Sequence, residues 1–168
     1  MDAPPPLLIE GPRLALREWG ADEVDGLHRW FADPNVTRFL DWGGRSKADS
    51  AAHLAEIVAE QGREDRTRFF LALVLRENPV RTIGDAGFTL IAPDTAEIGY
   101  FLEPSYWGRG LGSEAAGLVI ELARTRGARR IVAGCAAENE ASARVLEKNG
   151  LRPLPDPEPG RRRFALDL

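Results

Sequence analysis

The densest run of unusual residues is Tyr106-Trp107-Gly108-Arg109-Gly110-Leu111-Gly112-Ser113, with three glycines in five positions. It falls between a strand-like apolar run and a helix-like one. Glycines let successive backbone N–H groups converge on one point with no Cβ in the way. The helix start that follows adds about half a positive charge. Together these predict a cradle for phosphate oxygens; the plain alternative is a tight turn that binds nothing. A nucleoside-triphosphate loop is excluded, because no lysine follows Gly112. Gly110-Leu111-Gly112-Ser113-Glu114-Ala115 fits a loose dinucleotide pattern. However, turn-connected strands precede it, and too little chain follows for a dinucleotide half plus a substrate region.

Other reactive side chains are sparse. Cys135 is the single cysteine, so neither an internal disulfide nor a thiolate metal cluster is expected. The two histidines, His28 and His53, are too few and too far apart for a His-based metal site. A formal net charge of −4 argues against a nucleic-acid binder. No apolar run approaches the roughly 18 residues of a membrane span, and the start has no secretion-signal pattern. A cytoplasmic protein, monomer or homodimer, is the expectation. The length of 168 residues suits one domain.

The elements that must position the cradle follow from periodicity. Residues 1–11 are Pro-rich and read as a flexible tail. Pro12 to Trp19 alternates as a half-buried strand, with Leu14 and Leu16 inward and Arg13, Ala15 and Arg17 outward. A helix opening at Asp22 and stopped at Asp33-Pro34-Asn35 follows, then a second from Ser46 to Gln61. Phe69–Leu75, Val80–Ile91 and Glu97–Leu102 read as strands joined by turns, with Gly84 and Gly87 marking a bulge or close approach. After the cradle come a helix from about Ser113 to Arg126, a strand Arg130–Ala136, a helix Glu138–Asn149, a loop over 153–159 and a strand from Arg161 to Leu168. The fold class is α+β, a mixed sheet. An antiparallel meander is followed by a strand–helix–strand crossover that implies one parallel pair, with helices on both faces.

Three stretches carry a family resemblance. They are Glu97-Ile98-Gly99-Tyr100-Phe101-Leu102, the run Pro104-x-Tyr106-Trp107-Gly108-Arg109-Gly110-x-Gly112-x-Glu114-Ala115, and Asn139-x-x-Ser142-x-Arg144-Val145-Leu146-Glu147-Lys148-x-Gly150-Leu151. Together they resemble the cofactor-binding core of the GNAT acetyltransferase superfamily, and more narrowly its RimJ/RimL-type branch of ribosomal-protein N-terminal acetyltransferases. The resemblance implies acetyl-CoA as cosubstrate, no metal, and an amine-bearing acceptor, either a peptide N-terminus or a small molecule. It implies that the amides of Gly108, Arg109, Gly110, Leu111, Gly112 and Ser113 bind the pyrophosphate. Tyr100, Phe101 and Leu102 would pair with the pantetheine arm as an added strand, one amide there holding the acetyl oxygen. Asn139 would bond the pantetheine, Ser142 would sit near the sulfur, and Arg109, Arg144 and Lys148 would meet phosphates. Trp107 stands where the wider superfamily has Gln or Arg, and marks the branch.

The implied reaction is direct attack of an amine on a thioester. An α-amine, with a pKa of about 7.7–8.0, needs less help losing a proton than a lysine at about 10.4. A thiol leaving group of about 8.5 needs little more than one hydrogen-bond donor. Many GNAT enzymes place a tyrosine acid four residues after the Ser142 position; here that residue is Leu146. Ser142 is therefore expected to donate to the thiolate, with a packing or capping role as its alternative. Glu97, in an apolar run where burial would raise its pKa, is the expected base or water-holder, with a solvated strand-start carboxylate as an equal alternative. Asp85, His28 and Asp41 are weaker candidates. Trp42, Trp30, Phe39 and Phe88 are core or pocket lining, and Val36–Arg45 is the expected substrate wall. Cys135 is expected to be inert, and Arg161-Arg162-Arg163 a solvated hairpin tip. A non-catalytic acyl-CoA sensor keeps the same cradle and is the competing reading.

Overall fold

The computed structural model describes residues 5–40, 42–155 and 158–168. Among them, eight strands form one mixed sheet in the order β1-β2-β3-β4-β5-β6-β8-β7. The strands are β1 Leu7–Glu10, β2 Leu14–Arg17, β3 Arg68–Leu75, β4 Asn78–Ala92, β5 Thr95–Leu102, β6 Arg130–Ala136, β7 Arg152–Pro153 and β8 Arg161–Asp167. The helices are α1 Val24–Phe31, α2 Pro34–Thr37, α3 Lys47–Glu60, α4 Leu111–Thr125 and α5 Glu140–Lys148. Strands β3, β4 and β5 form the expected antiparallel meander, and β5 and β6 the expected parallel pair across α4.

The sheet separates two apolar cores. On β3, Phe69, Leu71 and Leu73 face the core that includes Leu111, Ala115 and Val119 of α4 and Leu146 of α5. Ala72 and Phe70 face the other way, onto the core built by Trp19, Trp30 of α1, and Leu54 and Ile57 of α3. Period-two alternation on one strand thus places α4 and α5 on one face, α1 and α3 on the other.

Several expectations need correction. The residues read as a tail include β1, because Leu7-Leu8-Ile9 supplies apolar side chains and pairs antiparallel with β2; residues 1–4 lie outside the described ones. Arg17 and Ala15 are buried rather than outward. Arg17 is taken inside because Glu23 pairs with it at 2.6 Å and the carbonyls of Glu18, Pro79 and Val80 accept its remaining N–H groups. Asp33 stops α1, but it also starts α2 by accepting from the Asn35 amide. Helix α4 begins at Leu111, two residues early, since Gly110 in the left-handed region already serves as its N-cap. Helix α5 begins later than expected because Asn139 is its cap. The loop after Gly150 contains β7. Arg161 to Arg163 lie in β8 opposite Ala136 to Gly134, not at a hairpin tip. The close approach at Gly84 and Gly87 is present: a Cβ would collide with the carbonyl oxygens of Phe101 and Phe69 respectively.

Candidate active site

Strands β5 and β6 pair only over Thr95–Glu97 and Arg130–Val132. Beyond that point β5 stays on β4 as far as Leu102, while β6 stays on β8 as far as Ala136. Each strand is held on its outer side, so the two diverge and a wedge opens between them. The inner edge of Ile98–Leu102 is left without a strand partner, an edge that can take an extended ligand arm.

The glycine cluster closes the narrow cradle at the end of this wedge. Gly108 and Gly110 have φ of +73° and +76°, values that other residues adopt only with strain. Tyr106 and Trp107 spend their amides on Glu103 and Pro104 carbonyls. Among the described residues, no protein group accepts from the amides of Gly108 to Ser113. These six N–H groups lie at the start of a 15-residue helix, the arrangement that suits phosphate oxygens. Side chains brace the loop instead of entering it. Trp107 Nε1 donates to the Leu102 carbonyl at 2.9 Å, tying the loop to β5. Glu114 accepts from the Arg13 and Leu14 amides and pairs with Arg13 at 2.9 Å. Burial opposes the Glu114 charge, but these donors outweigh it and hold the carboxyl below its usual range. The negative charge is thereby directed to β2.

Inside the wedge, the Tyr100 phenol lies 3.1 Å from the Ser142 hydroxyl. Asn139 accepts from the Ser142 amide at 3.1 Å, so Asn139 caps the helix and leaves the Ser142 hydroxyl for Tyr100. Burial pushes the phenol up to about 12, and so it stays protonated. Burial also raises the Cys135 thiol, in keeping with an inert role. Leu146 is core, 1% exposed. Arg144 and Lys148 are exposed on α5, and Arg109 stands 5.6 Å from the Tyr106 ring centroid.

The profile of the Acetyltransferase (GNAT) domain matches residues 13–152. The chain belongs to the GNAT acetyltransferase family. It is 30% identical over 147 residues to the "uncharacterized N-acetyltransferase p20" of Bacillus licheniformis, covering 83% of this chain and 82% of that one. It is similar in structure to RimL, the ribosomal L7/L12 alpha-N-protein acetyltransferase solved with coenzyme A, at a TM-score of 0.80 and 21% identity over 97% and 98% of the two chains. A GNAT-family acetyltransferase of Bacillus anthracis superposes at a TM-score of 0.79 with 22% identity, over 95% and 97%. This GNAT protein is accordingly an acyltransferase.

Two braces of the GNAT site escape sequence reasoning. Glu103, at the end of β5, binds Arg29 of α1 at 2.7 Å and Arg81 of β4 at 3.0 Å, fixing the strand before the loop. Asn149 caps α5 and also donates to the Ser113 carbonyl at 3.1 Å, locking α5 against the cradle. The Asn-Gly pair announces the cap but not the second bond. Glu97 takes the solvated alternative: its side chain is 44% exposed and stands 3.5 Å from Arg163. Asp85 is buried beneath the second core. Its carboxyl is raised to about 7 by burial. Among the described residues, Asp85 Oδ2, Trp19 Nε1 and Trp30 Nε1 lack hydrogen-bond partners. His28 holds Ser50 of α3 at 3.0 Å, a structural contact. Asp41 lies outside the described residues. Trp30 and Phe88 are core, whereas Trp42 is 40% exposed. No group of His, Cys, Asp or Glu among the described residues is arranged to hold a metal. No described helix is long and apolar enough to cross a membrane.

Proposed function

We propose that the enzyme transfers an acetyl group from acetyl-CoA to a primary amine by direct attack on the thioester. The observation that carries this reading is the wedge between β5 and β6 ending at the six amides of Gly108 to Ser113, from which no described protein group accepts. The strand edge fits a pantetheine arm, and the amides fit a pyrophosphate without basic side chains, so an overall acidic chain can bind a polyanion. Arg109, Arg144 and Lys148 supply exposed cations for the remaining phosphate charge. The amine nitrogen forms the new bond to the acetyl carbon, and the carbon–sulfur bond breaks. The Ser142 hydroxyl donates to the departing thiolate and is itself supported by the Tyr100 phenol. This pair stands in for the tyrosine that Leu146 replaces. Glu97 lines the hollow at the closed start of the wedge on the α3 face, beside Gly99. There it receives the amine's proton through water rather than as a desolvated base.

Calorimetry with acetyl-CoA, followed by thiol release over a panel of amines, tests the reading. Ser142→Ala should lower kcat by about 100-fold, and Tyr100→Phe by about 10-fold, with acetyl-CoA affinity within threefold of wild type. Binding of acetyl-CoA without thiol release on any peptide or small amine would favour the sensor reading; no binding would refute both.

A further inference from the structure

The α3 face of the sheet carries two hollows. One, of about 290 Å³, lies where the wedge begins and includes Phe70, Gly99 and Glu97 in its lining. The other, of about 360 Å³, is lined in part by Trp42, Arg45, Asp49, His53 and Glu56. A row of rings joins them: Trp42 to Phe31 at 5.2 Å, Phe31 to His53 at 5.5 Å, and His53 to Phe70 at 5.9 Å between centroids. Each step is under two residues of extended chain, at about 3.4 Å per residue.

Arg45 is the unusual group in this row. Its guanidinium lies 4.4 Å from the Trp42 ring centroid and 5.4 Å from that of Phe31. Other arginines around this face are ion-paired: Arg68 with Glu60, Arg29 with Glu103, Arg163 with Glu97. Arg45 makes no ion pair among the described residues. A guanidinium laid on aromatic faces is held in a fixed plane, and its edge still presents a fork of N–H donors to a carboxylate or phosphate. Of the two acids in the same hollow, Asp49 is committed to the Ser46 amide and hydroxyl. Glu56 is exposed on the α3 surface. His53 reports the balance of charge. Its pKa is lowered by burial first and by Arg45 next, and the opposing influence of Glu56 is smaller.

We infer that Arg45 recognises an anionic group on the acceptor, which makes the acceptor an amine whose own skeleton carries a carboxylate or phosphate a few residues' length from the nitrogen. This rests on the N-acetyltransferase reading above. The amine occupies the hollow where the wedge begins, the intervening skeleton lies along His53 and Phe31, and the anion meets the edge of the stacked guanidinium.

Matched acceptors test it, with acetylation followed by thiol release. One set is peptides with a free N-terminus and either Asp/Glu or Asn/Gln at positions three to five. Another is small amines of equal length ending in phosphate, carboxylate or hydroxyl. Wild type should favour the anionic member by about 10-fold or more in kcat/KM, with the difference in KM and diminishing as salt is raised. Which set shows it tells a peptide from a small molecule. Arg45→Gln should erase the preference, Arg45→Lys should restore part of it, and Trp42→Ala should weaken it. Equal use of both members, a preference that survives Arg45→Gln, or a preference for cationic acceptors overturns the inference while leaving acetyl transfer intact. Failure to acetylate any amine despite measured acetyl-CoA binding removes the underlying reading, and the inference with it.

Discussion

The two sides of the β5–β6 wedge offer a ligand different chemistry. On the α4 side, the groups without a protein acceptor among the described residues are amides of consecutive residues, Gly108 to Ser113, and side chains such as Trp107, Glu114 and Asn149 brace them. On the α3 side, the surface is built of side chains from separate segments: Phe31 of α1, Trp42 and Arg45 from the segment before α3, His53 of α3 and Phe70 of β3. A backbone site suits a ligand that never changes, because its donors do not depend on side-chain identity. A side-chain site suits a ligand that differs among relatives of one fold, since single substitutions re-shape it.

The sharpest way to break this contrast is Gly110→Trp. Gly110 has φ of +76° and caps α4. A side chain there is strained by about 1–2 kcal/mol and would crowd the amides. Acetyl-CoA affinity should fall by roughly 1000-fold, about 4 kcal/mol, in calorimetry on protein that unfolds within a few degrees of wild type. Retained affinity would mean that the cradle is an ordinary turn.

Asp85 tests the other side. The folded carboxyl titrates at about 7, against 3.8 when unperturbed. Between these values the unfolded chain loses a proton that the folded chain keeps, so stability falls as pH rises from about 4 to about 7 and then levels. At 1.36 kcal/mol per pKa unit the loss is up to about 4 kcal/mol. Asp85→Asn cannot ionise and should flatten this slope in denaturant titrations across the range. Acetyl-CoA affinity should not follow the slope, because the cradle holds no such group. An unchanged pH dependence in the variant would place the titration elsewhere.

The same contrast explains which parts were legible in the sequence. The cradle was, because glycine spacing before an amphipathic helix states a local geometry. So were the meander and the crossover, which depend on turns and period. The wedge was not. Nothing in Thr95–Leu102 says that pairing with β6 stops after Glu97; that depends on β4 and β8 pulling the strands apart. Strand β1 was hidden by the prolines before it, and the burial of Arg17 by partners up to 63 residues away. Ser142 was singled out in the sequence as the expected thiolate donor, but its Tyr100 partner was not, because that bond spans 42 positions. For Glu97 the sequence left burial and solvation open, because its neighbours are apolar; the side chain itself alternates out to meet Arg163.

Trp107 gives the finest test of how backbone and side chain share the work. Its indole N–H reaches the Leu102 carbonyl, and it is otherwise 48% exposed. If the cradle works through its amides alone, Trp107 matters only by keeping the loop in register with the end of β5. Trp107→Phe keeps a ring and removes the N–H donor, which costs about 1 kcal/mol for a partly exposed hydrogen bond. Acetyl-CoA affinity should weaken about fivefold, with kcat at saturation and the KM for the amine within twofold of wild type. A larger drop in kcat would mean that this bond also sets the position of β5 against the acetyl group, joining the two sides of the wedge. An unchanged affinity would mean that the Tyr106 and Trp107 amides, already spent on Glu103 and Pro104, fix the loop without the indole.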